Sequence, residues 1–106
     1  MSSEDVVART MEFLKIPVPP SRTKEWSDWQ EQCRALGQAS VDVFLDALEN
    51  GAAADQYAAA LSLRLFGYEV FGESEGADWH YLVKSPGASE VQVVRPKITP
   101  EPYSAP

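Results

Sequence analysis

Histidine and cysteine are almost absent from this chain, with His80 and Cys33 as their sole representatives. A single cysteine excludes an intramolecular disulfide, and it points to a reducing compartment or to indifference to redox state. A single histidine, with Cys33 far upstream, leaves a metal site short of converging ligands, so no metal and no cofactor is expected. Long apolar runs are lacking as well, and no stretch approaches the ~18 continuous apolar residues of a membrane span. The opening "MSSEDVVART" carries acids where a secretory signal has a basic region. These absences lead to the expectation of a cytoplasmic protein.

Basic residues are nearly missing from one part of the chain. Between 41 and 80, Arg64 stands alone against Asp42, Asp46, Glu49, Asp55, Glu69, Glu73, Glu75 and Asp78. Elsewhere acids and bases balance, so the whole net charge of −7 resides in this window. Such a surface repels phosphate backbones and anionic bilayers, and neither nucleic acid nor membrane is an expected partner.

What is present suits one domain. With 106 residues, 44% of them apolar and 10% aromatic, the chain can bury a modest core without metal or disulfide. Helical spacing comes first. Over 3–16, Val7, Met11 and Leu14 recur with Val6 and Phe13 beside them, behind a Ser2 or Ser3 cap and before the prolines of "PVPPS". A second helix carries Trp26, Trp29, Cys33 and Leu36 in one stripe and ends at Gly37. Ser40 is expected to cap a third, with Val41, Phe44, Leu45 and Leu48 inward and Asp42, Asp46 and Glu49 outward. The fourth, roughly 54–66, is apolar nearly all round, which places it centrally among its neighbours.

After Gly67 the period changes from 3.6 to 2. "YEVF" (68–71), "DWHYLVK" (78–84) and "EVQVV" (90–94) read as strands, with "GESEGA" and "SPGAS" as connections. The expected fold is therefore α+β: an N-terminal bundle of about four helices followed by a three-stranded antiparallel β-meander. Residues 1–95 make the single domain, and the proline-rich 96–106 forms an extended C-terminal tail.

The pair "VDVFLDALENG" and "DQYAAALSLRLFG" resembles one helical hairpin of the HEAT type over about a quarter of the chain. The strands that follow depart from any solenoid, and no site residues carry over from it. Helices before a β-hairpin are also the order of a winged helix. Here the helix that would enter a DNA groove is apolar and the wing is acidic, which removes the nucleic-acid role.

Few residues carry chemistry. Alternation puts Trp79, Tyr81 and Val83 on a core face and His80 on the opposite, solvent-facing side. His80 with Glu69 or Glu73 is the candidate for a small-ligand site or an enzyme, and no catalytic residue is assigned. "ESEGAD" lacks the twelve-residue frame of a calcium loop. Cys33 lies on an apolar stripe and reads as inert packing, and Ser85 reads as a turn residue.

The leading expectation is a small non-catalytic acidic binding module: an inhibitor, immunity-like or accessory subunit that docks a protein with a basic surface. Its docking residues would be Asp42, Asp46, Glu49, Glu73, Glu75 and Asp78, with Trp79 and Tyr81 as anchors should their face be uncovered. A homo-oligomer, with the tail threaded onto a neighbour, stays open as a third reading.

Overall fold

A computed structural model describes residues 3–75 and 78–98, with the backbone alone for Ser3 and Glu75. Helix α1 spans Ser3–Leu14, α2 Lys24–Ala35, α3 Val41–Asn50 and α4 Ala53–Leu65. Strands β1 (Glu69–Glu75), β2 (Asp78–Lys84) and β3 (Gln92–Val94) follow. The sheet has the order β1-β2-β3 with both pairings antiparallel. Four helices and then an antiparallel meander make this an α+β fold.

Local chemistry accounts for the helix ends. The chain leaves α1 through a tightened turn, with Lys15 N–H donating to the Glu12 carbonyl and Ile16 N–H to that of Phe13, before Pro17. Thr23 caps α2, its hydroxyl oxygen accepting from Trp26 N–H at 3.1 Å. Gly37 follows with φ +79°, and nothing stands near its missing side chain, so conformation alone calls for glycine. Ser40 differs from its expected role. A 3₁₀ turn over Gln38–Ser40 runs into α3, so the Ser40 backbone is already helical. Its hydroxyl donates back to the Gly37 carbonyl rather than capping α3.

Helix α4 is the hub, packing against α1, α2, α3 and β1. Its buried face of Ala58, Ala59, Ser62 and Leu63 is made mostly of small residues, which lets neighbours approach. One continuous core joins it to Phe13, Trp29, Phe44 and Leu48 from the helices and to Val70, Tyr81, Val83 and Val94 from the sheet. Phe13 stacks on Trp29 at 5.1 Å and meets Phe44 edge-on at 6.3 Å.

Strand β1 continues well past Phe71. Its pairing with β2 runs from Glu69↔Lys84 to Glu75↔Asp78, so most of "GESEGA" belongs to the ladder and not to a turn. Backbone pairing does not need apolar side chains, which is why periodicity missed these residues. Gly72 has a packing role there. A Cβ at this position would run into the Trp79 ring, whose indole crosses the neighbouring strand at that point. Arg64, at the end of α4, donates from Nε and Nη2 to the Val70 carbonyl and ties helix to strand.

The chain beyond β3 returns to the helices. Lys97 N–H donates to the Glu49 carbonyl at 2.8 Å, and Gln56 Nε2 donates to the Ile98 carbonyl at 2.7 Å. Residues 99–106 of the expected tail, Ser2, and Gly76 and Ala77 of the hairpin connection lie outside the described residues.

Candidate functional site

The anionic residues singled out by the sequence come from α3 and from the β1–β2 hairpin. Asp42 and Asp46 are exposed on α3, one helical turn apart, at the lip of a groove between α1 and α3. Glu49 turns another way, lining a hollow of about 370 Å³ with β3 residues and Arg95. Arg95 lines the same hollow, and the Lys97 N–H donates to the Glu49 main-chain carbonyl. Glu73 and Asp78 belong to the hairpin. The side chain of Glu75 lies outside the described residues.

The proposed aromatic anchors are occupied in packing. Tyr81 is buried and its hydroxyl donates to Gln56 Oε1 at 2.8 Å. Trp79 is half-buried and meets Tyr81 edge-on at 5.7 Å. Their face is the covered one, because the alternation that aligns them with Val83 also turns them toward α4.

His80 departs from expectation in two ways. It projects from the sheet face opposite the core, as alternation requires, yet is only 6% exposed. Alternation sets the direction of a side chain and not what lies over it. The register also places Glu73, not Glu69, opposite His80. His80 Nε2 lies 3.5 Å from Glu73 Oε2, whereas Glu69 meets Lys84 at 3.8 Å. His80 Nδ1 is buried with no hydrogen-bond partner among the described residues. The half-exposed Glu73 carboxylate is therefore the group that faces the imidazole and can orient it. Among the described residues, no three His, Cys, Asp or Glu side chains are grouped to hold a metal ion.

Cys33 is fully buried, and burial pushes its thiol up from the ordinary value of 9.0, with the Ser62 hydroxyl and Arg34 pulling weakly the other way. A protonated, enclosed thiol is a packing group and not a nucleophile.

The groove between α1 and α3 is the feature that sequence reasoning missed. It encloses about 460 Å³. Val7, Met11 and Leu14 form one wall, Val43 and Ala47 the other, and Asp42, Asp46 and Asp55 its anionic lip. Met11 is 55% exposed and Val7 41%, so two apolar side chains of α1 face solvent. The signal was present in α1, whose apolar residues are too many for one stripe. Val6, Phe13 and Leu14 go into the core with the buried Thr10, whose hydroxyl donates to the Val6 carbonyl, and Val7 and Met11 are left on the flank.

Past Leu14 and Lys15 a second hollow of about 290 Å³ continues the apolar tract through Ile16, Pro17 and Val18 to Ala54 and Tyr57. Among the described residues the carboxylates at the lip have no basic partner within 4 Å, and two of them have local hydrogen bonds. Asp46 accepts from Asn50 Nδ2 at 2.8 Å, and Asp55 from the Ala52 N–H at 3.3 Å, at the start of α4. The sheet carries the ion pairs His80–Glu73 and Lys84–Glu69.

By architecture the chain is a small α+β domain with a surface groove between α1 and α3. None of its helices is long and apolar enough to cross a membrane, among the described residues. In comparisons with known proteins, no family profile, curated protein or solved structure gave a significant match to this chain.

Proposed function

We propose that this protein is a non-catalytic acidic binding module, an inhibitor, immunity-like or accessory subunit, that docks a basic protein through the anionic lip carried by α3. The observation that carries the reading is the placement of Asp42 and Asp46. Both are solvent-exposed and without a basic partner among the described residues, and they border an apolar groove. Carboxylates in this setting act mainly through steering and association rate. Desolvation of the apolar wall supplies the short-range attraction.

The test is kinetic. A partner is captured from native lysate at low salt, purified, and its association rate measured with wild type and with Asp42→Lys/Asp46→Lys. Reversal slows association, by about tenfold at low salt and less as salt rises, because exposed charges are screened beyond a Debye length of roughly 10 Å at 0.1 M. The melting temperature stays within a few degrees, since exposed substitutions typically cost under about 0.5 kcal/mol apiece. Identical association rates at both salts would refute the proposal.

A further inference from the structure

We infer that the occupant of the α1–α3 groove is a single amphipathic helix of the partner, apolar on the side that enters the groove and basic along one flank only. This inference rests on the docking role proposed above and adds the form of the partner. Three observations lead to it.

The first is what the walls offer. Both are helices, so their backbone groups are hydrogen-bonded internally. An extended peptide laid here would find no free sheet edge and would leave its own main chain unpaired. A helix brings its backbone already paired and needs only side-chain pockets, so the groove suits helical ligands.

The second is length. From Val7 to Leu14 the wall runs about 10 Å along the helix axis, at ~1.5 Å per residue. The tract then continues past Leu14 through Ile16 to Tyr57, which is 60% exposed. A compact small ligand would fill the first hollow alone. A helix of about 14 residues, roughly 21 Å long, spans both.

The third is the uneven charge. Asp42, Asp46 and Asp55 all belong to the α3–α4 side, whereas the α1 wall contributes Lys15. Basic residues on the partner helix therefore belong on the flank facing α3. Along that flank, residues three or four apart lie ~5–6 Å from one another, matching the separation of Asp42 and Asp46.

The probe is a synthetic 14-residue leucine–lysine peptide, with leucine on one half of the helix and lysine on the other, so that a lysine flank faces α3. An isomer of identical composition with strictly alternating leucine and lysine serves as control. Affinity is measured by calorimetry at two salt concentrations, and contacts are mapped by amide chemical shifts. The decisive variant is Met11→Glu, at an exposed helical position where glutamate is a good helix former, so the fold is retained. It adds a negative charge, and docking by charge alone would therefore tighten.

The expected result is that the helical peptide binds roughly tenfold or more tightly than its isomer and shifts Val7, Met11 and Ala47. Met11→Glu then weakens it despite the added charge, and Asp42→Asn/Asp46→Asn weakens it at low salt. Equal binding of both peptides, unaffected or tightened by Met11→Glu but weakened by Asp42→Asn/Asp46→Asn, overturns the helix inference and leaves the anionic docking role standing. Dodecylamine binding as tightly as the helical peptide assigns the groove to small lipophilic amines and also overturns it. Binding insensitive to both variants overturns it as well, and the association-rate test above then decides the docking role separately.

Discussion

Gln56 offers the most direct test of how the chain after β3 is held on the helices. It is fully buried on α4, and its amide meets three groups: Nε2 donates to the Gly51 carbonyl at 3.0 Å and to the Ile98 carbonyl at 2.7 Å, and Oε1 accepts from the Tyr81 hydroxyl at 2.8 Å. Gln56→Leu keeps the volume close to native and removes all three bonds, so the cavity contribution is small. At about 1 kcal/mol net for each bond the loss is about 3 kcal/mol. Burying a leucine returns part of this, and the carbonyls of half-buried Gly51 and exposed Ile98 can turn to water, leaving an expected loss of about 2 kcal/mol. For a domain of this size that corresponds to a fall in melting temperature of roughly 8–16 °C. Urea unfolding measures the loss. Amide exchange at Lys97, whose N–H donates to Glu49 next to this junction, reads the release of the segment. Tyr81→Phe removes one of the three bonds and costs about 1 kcal/mol, and the double variant costs less than the sum because the two share a bond. A Gln56→Leu protein within about 0.5 kcal/mol of wild type, with Lys97 exchange unchanged, would show that these bonds do not hold the segment.

Two further outcomes follow from packing and burial. Gly72→Ala places a Cβ where the Trp79 ring lies, so the indole must shift; we expect a loss of about 1–3 kcal/mol and an altered near-ultraviolet circular dichroism spectrum, and an unchanged spectrum would contradict the packing. Cys33 ionises later in the folded protein than in the unfolded chain, where its ordinary value is 9.0. Its contribution is therefore fully present below pH 9 and declines as pH rises toward the folded value, because the unfolded state loses its proton first. Stability above pH 9 should fall more steeply in wild type than in Cys33→Ala, and matching slopes in urea unfolding at pH 8 and 10 would contradict this.

Much of the fold was legible because its signals are local. The stripe Trp26–Trp29–Cys33–Leu36, the small-residue run of α4 and the alternation of 78–84 each follow from one element's period, and period reports which side of that element is buried. The site was less legible. That Asp42 and Asp46 point outward was readable from α3 alone. That they border an apolar groove was not, since the opposing wall is Val7 and Met11, more than 30 residues earlier. Glu49 has the same helical face signature as Asp42, yet it borders a different hollow, shared with Arg95, and its main-chain carbonyl receives the Lys97 N–H of the returning chain. His80 sits on the face that alternation gives it, but which carboxylate it meets was settled by strand register, and one step of register exchanges every partner.

From residue order alone came the number and kind of elements, the change of period at Gly67, the helix terminator at Gly37 and the concentration of negative charge between 41 and 80. These depend on backbone sterics, on the period of apolar side chains and on simple counts of ionisable groups. The packed chain decided what distant segments meet: which apolar residues of α1 stay outside, which acids remain without basic partners, and how Gln56 ties three parts of the chain together. Contacts between remote segments depend on helix crossing, strand register and the path of the returning chain, and no single element's pattern encodes these.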